Sequence, residues 1–203
     1  MAWRIYPEGA DPATYRGLPS LYEFINSDGE FRKFNCGQAA ACTFLTHHRV
    51  FPGDHTSEEA REIMEMIEGA HPPDNMGGWL GTSRRRVERI CRTANVPIEE
   101  VDGEDDLRTH LDNRQPVMVM CGVDGPKILG RWTAPAGHWM VAYGYDANNI
   151  FLTNWSGPSM PWEEFRQCWG SVVSRMLSMR NTGISTVSQL VDLPPTDESR
   201  VIV

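Results

Sequence analysis

Phe34-Asn35-Cys36-Gly37-Gln38-Ala39-Ala40-Ala41-Cys42-Thr43-Phe44-Leu45 is the stretch from which the rest of the chain is read. A cysteine flanked by Asn and Gly runs directly into small and apolar residues that favour a helix. Asn35 is a suitable cap, which places Cys36 in the first helical turn. There the positive end of the helix dipole favours a thiolate and makes the thiol a better nucleophile. The same cysteine also reads as a buried structural thiol, because free cysteine is among the most buried residue types. The second half of the chain decides between the two.

That half contains Gly137-His138-Trp139-Met140-Val141-Ala142-Tyr143-Gly144-Tyr145-Asp146, a turn-prone Ala147-Asn148-Asn149, and then Ile150-Phe151-Leu152-Thr153-Asn154-Trp155. Both flanks are rich in β-formers and the Asn pair accepts turn geometry, which predicts a hairpin. A cysteine on a helix start, a histidine on a distant strand and an amide to orient it form the working set of a papain-like site. These three pieces, in this order from about residue 35 to 170, resemble the papain-like cysteine peptidase superfamily. Within it the chain is most similar to the bacteriocin-leader (double-glycine) processing peptidase-like family.

The resemblance implies Cys36 as nucleophile, His138 as base and acid, and Asn154 as the group that holds the imidazole. It implies no cofactor and no metal. Of the six histidines, only His138 sits at a strand start between a glycine and an aromatic, as the family's base does. Asp146 shares that strand, but eight residues at about 3.3 Å each carry it far out of reach. Asn154 returns on the partner strand, sixteen residues after His138. A two-residue turn at Ala147-Asn148 would set Asn154 opposite Val141, on the wrong face, so a bulge or a strand end near Thr153 is required. The chain departs from the family at two positions. Glu30 stands where an oxyanion-hole glutamine six residues before the cysteine is usual, and an ionised carboxylate cannot donate. Asn-Cys-Gly-Pro reads Asn-Cys-Gly-Gln. The oxyanion donors stay open among the Cys36 N–H, Gln38, Asn35 and Asn26.

With 203 residues, 40% hydrophobic and 23% charged, the chain has the size and composition of one globular domain. A net charge of -8 argues against nucleic acid as a partner, since phosphate contacts need excess Lys and Arg. Five cysteines without Cys-x-x-Cys spacing read as reduced thiols and not as a disulfide framework. No stretch has the length of a signal peptide or a membrane span, so no membrane partner and a cytoplasmic location are expected.

Residues 1–33 read as loop-rich, with Leu18 to Ile25 a short helix or strand, and the Cys36 helix extends to about His48. Thr56-Ser57-Glu58-Glu59 is a capping box for a second helix. His47, His48, His55 and His71 fit no zinc pattern. Residues 69–81 form a Gly-rich loop in which Met76 and Trp79 could border a substrate groove. A third helix, capped by Thr82 or Ser83, buries Val87, Ile90, Cys91 and Ala94, and its arginines 84, 85, 86, 89 and 92 read as a solvated face. Strands are expected at Ile98–Val101, at the apolar run Pro116–Cys121, at Ser171–Met179 and at Ile184–Leu190. Helices are expected at Asp105–Asn113 and from Pro161, and the tail from Pro194 as mobile. The class is α+β: a single domain whose nucleophile helix and further helices pack on a C-terminal antiparallel sheet.

Three functions fit these residues. The first is a cysteine hydrolase that cleaves a peptide or isopeptide bond through an acyl-thioester. The second is an acyltransferase on the same triad, with an amine as acceptor. The third is a non-catalytic relative that binds a peptide. Each takes a peptide or amide-containing ligand, and the oligomeric state is left open.

Overall fold

Val117-Met118-Val119-Met120-Cys121 forms the centre of the sheet, and every residue of that run is buried. The protein is described by a computed structural model that covers residues 2–25, 35–51, 56–74, 81–123, 127–128, 131–132, 136–153, 157, 159–170 and 181–187. Asn26, Glu30, His55, Met76, Trp79, Asn154, the expected strand at 171–179 and the tail from Pro194 lie outside the described residues.

The elements run β1 (Ala2–Ile5), β2 (Arg16–Gly17), β3 (Leu21–Phe24), α1 (Cys36–His47), α2 (Ser57–Ala70), α3 (Arg84–Thr93) and β4 (Ile98–Asp102). They continue with α4 (Gly103–Asp112), β5 (Val117–Val123), β6 (Lys127–Ile128), β7 (Arg131–Trp132), β8 (Ala136–Tyr145) and β9 (Asn149–Leu152). The described part closes with β10 (Ser159–Pro161), α5 (Trp162–Trp169) and β11 (Thr182–Thr186). The main sheet has the order β10-β9-β8-β5-β11-β4, and β2 pairs with β8 beyond the end of β5. Its described pairings are antiparallel.

Helices cover both faces, which explains why β5 is a continuous apolar run with no polar alternation. Met118 and Met120 point into a core shared with α1, α2 and α3. Val117, Val119 and Cys121 point into a second core, lined by Leu107 and Leu111 of α4 and by Trp162, Phe165 and Trp169 of α5. The architecture is therefore α+β in three layers. Helix α1 is enclosed all round, with residues 36–46 buried, and its Ala39-Ala40-Ala41 run is what lets neighbours approach on every side.

Several expectations need correction. The N-terminal segment is not only loop, since β1 and β3 pair antiparallel from Ala2↔Phe24 to Ile5↔Leu21. A four-residue strand gives too short an alternation to stand out in sequence. The α4 helix starts at Gly103, two residues early, and β11 runs from Thr182 to Thr186. The α2 capping box forms between Thr56 and Glu59. Ser83 caps α3, its hydroxyl accepting from Arg86 N–H at 3.3 Å, which leaves Thr82 for another task. Arg84, Arg86 and Arg92 pair with Glu88, Glu100 and Asp74 on the protein's own surface. Among the described residues, no helix is long and apolar enough to cross a membrane.

Candidate active site

Cys36 is the first residue of α1, so the N–H groups of that turn have no partner inside the helix and point toward its side chain. Asn35 holds the N-cap position but makes no side-chain capping bond. Its amide donates instead to the buried carboxylate of Glu68 on α2. That correction has a tertiary cause. Glu68 lies one turn beyond Met64 on the buried stripe of α2, and a buried carboxylate demands donors. An ionisable residue on an apolar stripe was the available sequence signal.

The hairpin of β8 and β9 brings the second component. Its turn is the two-residue Ala147-Asn148, closed by Asp146 N–H donating to Asn149 O at 2.9 Å. Asp146 serves this turn. Its carboxylate accepts from Asn148 and Asn149 N–H at 2.8 and 2.7 Å, and from Asp11 N–H at 3.1 Å, tying the N-terminal segment to the hairpin. The ladder has a bulge at Tyr143, and β9 ends at Leu152, where a strand end near Thr153 was expected. Tyr145 pairs with Ile150 and Gly144 with Phe151, but Ala142 pairs with Leu152. One extra residue in β8 exchanges the faces. Tyr143 points into the first core, whereas Tyr145 packs on Trp162 in the second. Gly144 is required there because a Cβ would meet the Tyr15 hydroxyl at 2.2 Å.

At Thr153 the strand leaves the ladder. Its N–H still donates to Val141 O at 2.9 Å, while its hydroxyl accepts the Val141 N–H at 3.0 Å. Two residues further along β8, the Trp139 N–H reaches the Cys36 sulfur at 3.5 Å. The thiol thus takes the edge position that β9 would otherwise fill. His138, partly buried, hydrogen-bonds the same sulfur. Burial pushes the Cys36 thiol up; the hydrogen bond and charge of His138, with the N–H groups of Trp139 and Gly37, outweigh it and bring the thiol below its ordinary value. Chemically this is a thiol–imidazole pair in a water-poor setting, the arrangement from which a thiolate–imidazolium pair forms.

The structure therefore brings Cys36 and His138 together, and Asn154 lies outside the described residues. Asn35 and Gln38, left open as oxyanion donors by the sequence, are both fully buried. Gln38 donates to His71 O at 2.8 Å and accepts from the Thr82 hydroxyl at 2.7 Å. It is a structural amide, and so is Asn35. Among the described candidates the Cys36 N–H remains. His47 and His48 meet edge to face, and burial first, then the neighbouring Arg49 charge, takes the His47 imidazole down to about 4. Among the described residues, no group of three or more His, Cys, Asp or Glu side chains could hold a metal ion.

Fold and site together define an α+β domain with a thiol–imidazole pair at the start of its central helix. No protein-family model matches the chain, and no curated protein matches it. Solved structures do. One is described as a C39-like peptidase from Bacillus anthracis, with 17% identity and a TM-score of 0.41 over 53% of this chain and 60% of that one. The chain thus spans about three-fifths of that structure's length. Another is the peptidase domain of Streptococcus ComA, a bifunctional ABC transporter involved in a quorum-sensing pathway. It has 14% identity and a TM-score of 0.48 over 80% of this chain and 95% of that one.

Proposed function

We propose that the protein is a cysteine hydrolase of the papain-like type, cleaving a peptide or isopeptide bond through an acyl-thioester on Cys36. The observation that carries this reading is the Cys36 thiol, held by the His138 side chain and the Trp139 N–H, with its proton affinity lowered despite full burial. In the first step the thiolate attacks the scissile carbonyl and a carbon–sulfur bond forms. His138 gives its proton to the departing amine as the carbon–nitrogen bond breaks. His138 then takes a proton from water as that water attacks the thioester; the carbon–sulfur bond breaks, the carboxylic acid leaves, and the thiolate and the protonated His138 are restored. In this reading the Cys36 N–H, at the first helical position, receives the developing oxyanion.

Asn154 is the orienter in this reading. The bulge at Tyr143 pairs Leu152 with Ala142, a one-residue change of register of the kind that the orienter role needs.

A peptidyl vinyl sulfone probe tests the proposal. Covalent labelling of Cys36 in the wild type, abolished in His138→Ala and in Cys36→Ser, is the expected result. A folded wild type that binds peptides yet never acquires the label would instead be a non-catalytic relative.

A further inference from the structure

We infer that Thr82 is the positioning residue that fixes the nucleophile helix against the histidine strand. The inference rests on the reading of Cys36 and His138 as a reacting pair, and deepens it. Thr82 is fully buried and touches both elements with different atoms. Its hydroxyl donates to Gln38 Oε1 at 2.7 Å, in the first turn of α1. Its carbonyl accepts the indole N–H of Trp139 at 2.7 Å, one residue from His138. Its Cβ and methyl lie against Gly37 so closely that a Cβ added there would come within 2.5 Å of the Thr82 Cβ. Gln38 completes the clamp by donating to the carbonyl of His71 at 2.8 Å.

Cys36 and His138 are 102 positions apart in the chain, so nothing local sets their separation. Both contacts of Thr82 fall one or two residues from the pair they serve, and both are short and buried. A shift of the helix by a fraction of an ångström would lengthen the sulfur–imidazole bond, which weakens steeply with geometry. Gln38, where the resembled family carries proline, is the acceptor that this hydroxyl needs.

The test is the pH dependence of Cys36 alkylation by iodoacetamide in the full chain, compared among wild type, Thr82→Val and Thr82→Ser. Valine keeps the shape and removes the hydroxyl; serine restores it. With the helix released, Thr82→Val should alkylate Cys36 about tenfold more slowly at pH 6 while matching wild type at pH 10, where the thiol is ionised in both. Thr82→Ser should recover the pH 6 rate to within about twofold. Trp139→Phe, which removes the indole N–H and keeps an aromatic ring, should shift the profile in the same direction and serves if Thr82→Val does not fold. A merely structural Thr82 would lower thermal stability and leave the profile unmoved in a reactive protein, and that result overturns the inference alone. A wild type whose Cys36 alkylates no faster than the other cysteines overturns the reading of the pair, and this inference with it.

Discussion

The Cys36 sulfur accepts the backbone N–H of Trp139 at 3.5 Å, and that donor is covalently next to His138. One strand thus carries two of the groups that hold the sulfur, and their mutual spacing is set by the chain itself. Packing has only to deliver the start of α1 to the edge of β8. The Ala-rich helix, the departure of β9 at Thr153 and the close contact at Gly37 all serve that approach.

The five thiols should separate sharply in reactivity. Burial, then the charge of Glu68, holds Cys42 far above the ordinary thiol range. Cys91 is pushed up to about 12 by burial and then by Glu88, and burial and Cys168 raise Cys121. The Cys36 thiol is instead lowered. Limited iodoacetamide at pH 6 should modify Cys36 about tenfold or more ahead of the others, since the thiolate is the nucleophile. Peptide mapping by mass spectrometry reads this directly. Uniform labelling, or Cys42 ahead of Cys36, would make Cys36 an ordinary thiol.

Gly37→Ala should destabilise the fold. The new Cβ would meet Thr82 Cβ at 2.5 Å and its methyl at 2.7 Å, and Thr82 is pinned by two hydrogen bonds. Overpacking of this kind costs about 1–3 kcal/mol, far more than the helix propensity that alanine gains over glycine. Urea denaturation should give a lower midpoint at unchanged slope. A midpoint equal to or above wild type would mean that Thr82 moves freely, and would weaken its role as a clamp.

Much of this arrangement was legible in the residues themselves. The capping box at Thr56, the apolar run of β5 and the Ala147-Asn148 turn are local signals, and local signals survive folding. The bulge at Tyr143 was not legible, because it depends on Gly144 meeting Tyr15 from the distant N-terminal segment. Asn35 has the composition of a cap, but tertiary contact with Glu68 redirected its amide. Thr82 gave no sign at all: a Thr-Ser pair before a helix reads as a choice of caps, and only the structure separates the cap from the clamp.

Stability should fall in acid through Asp146. Burial pushes its carboxyl up, but the N–H groups of Asn148, Asp11 and Asn149 outweigh this and hold it below the usual carboxylate range. A carboxyl lowered on folding adds stability above its unfolded value, roughly 4, and loses it as pH falls through the folded value. Asp146→Asn should therefore destabilise at pH 7 by about 1–3 kcal/mol, since the amide keeps one acceptor oxygen and its nitrogen cannot accept the donor on the other. The gap between variant and wild type should shrink below about pH 4. A gap independent of pH would assign the effect to shape and not to charge.

The final expectation concerns Asn154, which in the proposed mechanism has a positional role. An orienter supplies no electrons or protons to the reaction; it removes the cost of a misplaced imidazole. Asn154→Ala should therefore lower turnover of a cleavable peptide by roughly ten- to a thousandfold, while circular dichroism and thermal stability stay close to wild type. The thiol pair is held independently by the Trp139 N–H and the helix start, so Cys36 should keep most of its preference for iodoacetamide in this variant. That split, with slow turnover beside retained alkylation, distinguishes an orienter from a residue that holds up the fold. An unchanged turnover would mean that another group, or solvent, holds the His138 ring, and Asn154 would then be a turn residue only.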